Sequence, residues 1–159
     1  MTRRYIDIAE VAKIIRGELK KAFPEIKFSV RISRYSMGSH VSVRWTDGPS
    51  RRQVDAKIGR YYGTGFDGMT DSTTHHDGEL NGEIVHFAGS KPDCVREISE
   101  AFRDACKRAW PTLPGDKRCD LLTQMPHYWQ DDYDNLDQCA DKLAHFVGAD
   151  RRGLPRIPV

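Results

Sequence analysis

Five side chains between residues 67 and 77 have the chemistry to hold a divalent ion: Asp67, Asp71, His75, His76 and Asp77. Carboxylate oxygens and imidazole nitrogens suit Mg²⁺, Mn²⁺ or Zn²⁺, and a metal-dependent nuclease needs such a cluster. On a strand, residues 71, 73 and 75 share a face, which makes Asp71 and His75 the pair expected to converge. The competing reading is turn chemistry for the aspartates and a solvent-exposed tip for the His-His pair. The spacing fits no fixed metal motif.

A second pattern favours phosphate. Lys27, Ser29, Arg31 and Ser33, and then His40, Ser42 and Arg44, alternate with apolar residues. Arginines interleaved with small hydroxyls donate hydrogen bonds to phosphate oxygens and leave room for a backbone to approach. Arg34, Arg51 and Arg52 add positive charge nearby in sequence. Base-stacking aromatics are missing from this set, and a solvated face of a one-sided sheet shows the same alternation. Farther on, Tyr128 and Trp129 precede an acidic run, a pairing of aromatic anchors with a charged rim that suits a protein partner. Its alternative is a cluster pinning a long loop to the body.

Other signals fail on context. Gly63-x-Gly65-x-x-Gly68 spells a dinucleotide fingerprint, yet it follows a helical pattern and opens no helix, so the glycines mark tight backbone geometry instead. Asp47 and Asp67 precede glycines and read as turn formers. Cysteines 94, 106, 119 and 139 lie 12, 13 and 20 residues apart, without the close pairs of a zinc ribbon or redox motif, so buried thiols are expected.

The elements that position these groups follow from periodicity. Ile8, Val11, Ala12, Ile15, Leu19 and Ala22 line one face of a helix over 7–23, which Pro24 stops. Lys27–Tyr35 and His40–Thr46 alternate as an antiparallel hairpin, with Gly38 in the turn free to take positive φ. Ser50 and Gln53 match a capping box for a second helix ending near Gly63. Strands are expected at Met69–Thr74 and Glu83–Phe87, joined around Asp77-Gly78 or Asn81-Gly82, and Ala88–Asp93 reads as loop because Pro92 cannot donate to a ladder. Ser99 caps a third helix running to about Trp110. Residues 112–131 read as a long loop with a turn at Leu121-Leu122, and a fourth helix spans Tyr133–Val147. The order α-β-β-α-β-β-α-α implies one α+β domain over 1–159: a four-stranded antiparallel sheet with helices on one face.

Composition sets the outer limits. With 159 residues, 38% hydrophobic and 30% charged, the chain can bury a core. No apolar run reaches membrane-helix length, and the N-terminus has no secretory pattern, so a cytoplasmic protein is expected. Residues 1–60 hold 14 Lys+Arg against 6 Asp+Glu, and the remainder 11 against 17, a split of +8 and −6 that predicts a basic face on the first half.

Taken together, residues 8–23, KFSVR, SVRWTDGPS, V-x-x-x-I-G-R and GFDGMTDS resemble the large polyvalent protein-associated domain family, twenty-ninth of its series, over roughly residues 8–99. That resemblance implies an α+β module of phage and conjugative-element polyvalent proteins, with no established catalytic role and no catalytic residues to carry over. The expectation is therefore a non-enzymatic, cofactor-free binding protein of a phage or mobile element. Its expected action is to occlude a host nucleoprotein or defence complex, in the anti-CRISPR or anti-restriction manner. Two alternatives belong to other classes: a module binding DNA or RNA directly through the basic hairpin face, and a metal-dependent nuclease centred on residues 67–77.

Overall fold

The computed structural model describes residues 3–124, 143–145, 147–150 and 153–156. The chain divides into two compact units, residues 1–45 with 53–95 and residues 46–52 with 96–159. Each has its own apolar cluster.

The first unit opens with β1 (Arg4–Ile6) and α1 (Ile8–Ala22). Asp7 caps the helix by accepting the Ala9 and Glu10 backbone N–H groups at 2.7 and 2.8 Å. The expected stripe is the buried one: Ile8, Val11, Ala12, Ile15 and Leu19 face the core. Fully burying each large aliphatic contributes roughly 1.5–3 kcal/mol. Next come β2 (Ser29–Tyr35) and β3 (Gly38–Thr46), which pair antiparallel from Ser29↔Arg44 to Tyr35↔Gly38. Val41, Val43 and Trp45 are buried, and Phe28, Val30 and Ile32 pack partly buried against the same core. Gly38 does not use its freedom to take positive φ. Its missing Cβ instead makes room for the Tyr35 ring, which a Cβ would approach to 3.3 Å.

α2 (Arg51–Ile58) buries Val54 and Ile58, and after it come β4 (Thr64–Asp67), β5 (Ser72–His75), β6 (Gly78–Leu80), β7 (Glu83–Phe87) and β8 (Ser90–Glu97). The α+β class holds, but the four-stranded antiparallel sheet and the α-β-β-α-β-β-α-α order do not. A five-stranded sheet runs β2-β3-β8-β4-β5, and a separate three-stranded sheet runs β1-β7-β6. β1 pairs with β7, and β4 with β8, in parallel.

Three departures from the sequence reading have identifiable reasons. β1 has three residues, too few to display a period. Of the strand expected at Met69–Thr74, only Ser72–Thr74 are extended, in β5; residues 69–71 form the turn from β4, with Asp71 at φ 48°. The segment read as loop, Ala88–Asp93, contains the first half of β8. Only Thr64↔Ser90 links β8 to β4, so most of β8 has an open side, and there a proline removes no ladder bond. Of the two proposed turns, Asn81-Gly82 joins β6 to β7. Both residues have positive φ, 55° and 83°, as a type I′ hairpin turn requires.

The second unit contains α3 (Glu100–Ala109), a 3₁₀ turn at Trp110–Thr112, α4 (Gly115–Gln124) and a short pair, β9 (Gly148–Ala149) with β10 (Pro155–Arg156). Ser99 caps α3 as expected, accepting the Phe102 N–H at 3.2 Å. α4 occupies part of the expected loop, and Leu121 within it is buried. Most of the helix expected at Tyr133–Val147 lies outside the described residues, although 143–145 are helical.

Arg96 ties this unit together. Its Nη1 donates to the carbonyls of Ala144 (2.7 Å) and Val147 (2.9 Å), at the end of that helical segment, and its Nε to the Asp47 carbonyl (3.1 Å). Terminal helix carbonyls lack intrahelical donors and carry partial negative charge, so a guanidinium satisfies both needs. The Asp47 carboxylate accepts the Ser99 N–H at 2.8 Å and its hydroxyl at 2.6 Å, in keeping with its expected turn-forming role.

Candidate nucleic-acid interface

Antiparallel register decides which side chains of the β2–β3 hairpin share a face. Directly opposed residues point the same way, so Ser29 with Arg44, Arg31 with Ser42 and Ser33 with His40 form the outer surface. Arg31 and Arg44 are exposed, and the core residues Val41 and Val43 occupy the other side. The structure brings these six together as one groove of about 440 Å³, closed along β8 by Asp93. Lys27 is exposed two residues before β2, in step with Ser29 and Arg31.

The groove also carries an aromatic end that the sequence reading missed. Tyr35 has the parity of Arg31 and Ser33, and its ring lies against His40, centroids 5.9 Å apart at 44°. It is 51% exposed, with its hydroxyl 3.5 Å from Ser90 Oγ. Parity alone was enough to place Tyr35 on this face. No sequence signal placed Asp93 there, because its strand was hidden by Pro92.

Other expected residues sit elsewhere. Arg34 pairs with Ser39, which puts it on the opposite side of the hairpin from Arg31. Arg51 and Arg52 are exposed in the first turn of α2 and are counted in the second unit. Tyr128 and Trp129 lie outside the described residues.

The expected metal pair does not converge. Asp71 precedes β5 in the turn while His75 ends that strand, so their backbones are about 13 Å apart at 3.3 Å per residue. Asp67 is engaged by its own turn: it accepts the Met69 N–H and the Thr70 hydroxyl, both at 2.9 Å. Those two bonds, the Met69 one first, hold its carboxyl below the usual range. Asp77 bonds Arg3 at 2.9 Å and faces His86 Nδ1 at 3.5 Å, while His76 packs edge-on against Tyr62. Among the described residues no three His, Cys, Asp or Glu side chains gather as a metal site. Gly63 is tight, as the glycine string suggested: a Cβ there would overlap the Phe87 carbonyl oxygen. Cys94 and Cys106 are buried thiols.

A larger cavity of about 750 Å³ lies among α1, the end of α2 and the β6–β7 turn. Several of its polar groups are already engaged. Lys91 bonds Asp55 at 2.9 Å, and Arg60 donates to the Tyr61 hydroxyl at 2.8 Å, a contact that raises the arginine's pKa above its ordinary value. The hairpin groove offers more open charges: among the described residues, Arg31, Arg44 and Asp93 take part in no ion pair.

No helix among the described residues is long and apolar enough to cross a membrane. No curated protein and no solved structure matches the chain. Residues 6–92 match the family model described as large polyvalent protein associated domain 29, a span that includes the whole hairpin and stops one residue short of Asp93.

Proposed function

Because this chain belongs to the large polyvalent protein associated domain 29 family, we propose that it is a non-enzymatic binding module of a phage or mobile element. It works in the host cytoplasm and engages a nucleic-acid strand through the β2–β3 face. The observation that carries this reading is the clustering of Arg31, Arg44, three serine hydroxyls and the Tyr35–His40 pair around one groove. Guanidiniums and hydroxyls hold phosphates, and an exposed ring stacks a base without regard to its identity. The test is fluorescence anisotropy with single-stranded oligonucleotides across 50–200 mM salt. Binding that weakens linearly on a log–log salt plot supports the proposal, and no binding at the lowest salt ends it.

A second reading is kept because the charge is split, +8 over residues 1–60 and −6 over the rest. In it the same groove meets nucleic acid already held by a host defence complex and occludes it, leaving the acidic half to face protein. Inhibition of such a complex at concentrations where bare strand binding is weak would favour occlusion.

A further inference from the structure

We infer that the hairpin groove is a subsite for single-stranded RNA in which Asp93 accepts a hydrogen bond from a ribose 2′-hydroxyl. The inference rests on the nucleic-acid reading of this face and goes one step past it, to the class of strand.

A face for phosphate alone has no use for a carboxylate. At about 8 Å in water a second negative charge weakens phosphate binding roughly twofold. Asp93 nevertheless lies in the same groove as Arg31 and Arg44. It does not serve to hold either arginine, since among the described residues none of the three is in an ion pair. The groove therefore presents two cationic forks and one anionic acceptor, all open.

The ligand that satisfies such a set carries an anion next to a hydrogen-bond donor. In RNA every internal phosphate is flanked by a 2′-hydroxyl on the adjoining sugar, and in DNA that donor is absent. A carboxylate accepting from ribose hydroxyls is the usual arrangement in dinucleotide sites, for the same chemical reason. The volume of about 440 Å³ is on the order of one nucleotide and falls within the range of small-ligand sites. At the hairpin end the exposed Tyr35 ring supplies a platform for the neighbouring base.

The test compares labelled oligo(rU) and oligo(dU) of equal length by anisotropy at low salt, so the bases are identical and only the 2′-hydroxyl differs. The protein is expected to bind oligo(rU) about tenfold more tightly, the worth of one hydrogen bond to a charged acceptor. Asp93→Ala is expected to reduce that ratio to about two or less and to strengthen oligo(dU) binding by removing the repulsive charge. Asp93→Asn keeps an acceptor oxygen and is expected to retain part of the ratio. Asp93 is exposed, so both variants should keep the parent's circular dichroism and melting temperature. Equal binding of the two strands by the parent, or a ratio that survives Asp93→Ala, overturns this inference alone. Absence of binding to either strand overturns it together with the nucleic-acid reading.

Discussion

Across the hairpin, the Tyr35 ring meets the His40 ring with centroids 5.9 Å apart and planes at 44°. Gly38 opposite Tyr35 permits this, since a side chain there would crowd the ring. The pair leaves half of Tyr35 exposed at the end of a groove lined by two arginines, three serines and Asp93. Stacking on one such ring contributes about 1–3 kcal/mol per base. Tyr35→Ala should therefore weaken oligonucleotide binding about tenfold, while Tyr35→Trp preserves it. Anisotropy titrations decide this, and unchanged affinity in Tyr35→Ala would remove the ring from the site.

Arg31 and Arg44 are expected to act as phosphate contacts rather than base readers. Each should release about one counterion, so Arg31→Ala and Arg44→Ala should each make the slope of log K against log salt shallower by about 0.7 for a single strand. Arg34→Ala, on the other side of the hairpin, should leave the slope unchanged. A loss shared equally by all three would point to general charge instead of a face.

Arg96 concerns stability alone. Removing it leaves the carbonyls of Asp47, Ala144 and Val147 without their donor, a loss of about 3 kcal/mol. Burial lowers the Arg96 pKa from its ordinary value to about 10, with the Asp47 carboxylate opposing the shift. Between those values the unfolded state holds more protons, so the contribution of this group rises with pH there and is flat below. The stability difference between the parent and Arg96→Ala, from urea melts, should accordingly be constant from pH 5 to 9.

Gly63→Ala should destabilise the first unit by about 3 kcal/mol. The added methyl meets the Phe87 carbonyl oxygen, and backbone there cannot yield without disturbing the Gly63 N–H bond to Gly89 O at 3.0 Å. Thermal melts followed by circular dichroism report it. A melting temperature within a degree of the parent would show that the Gly63–Phe87 approach is looser than described.

Asp67 titrates in its turn. Its folded pKa lies below 3.8 because the ionised carboxylate accepts the Met69 N–H and the Thr70 hydroxyl. What it adds to the turn is complete above its ordinary value and is lost as pH falls through the lower folded value. The Met69 amide resonance should follow that midpoint in an NMR titration and lose it in Asp67→Ala. A midpoint at or above 3.8 would contradict the turn.

Local pattern carried much of the architecture. Period-2 alternation in residues 28–46 gave the hairpin, its buried side and the face shared by Arg31, Ser42 and Arg44, because a pleated strand leaves only two sides to choose from. Ser99 was legible as a cap, and Asn81-Gly82 as a hairpin turn, because each satisfies a requirement set within a few residues.

Tertiary structure decided what depends on distant partners. β1 exists because β7 offers it a parallel ladder, and β8 exists because β3 and β4 flank it. Arg96 looks like a surface charge in sequence, yet it is surrounded by carbonyls from residues 47, 48, 144, 145 and 147. Asp93 entered the groove the same way, carried there by a strand whose proline hides it. Sequence fixes each residue's side of its own element over short range, whereas the partners it meets are set by long-range pairing, and no local period encodes them.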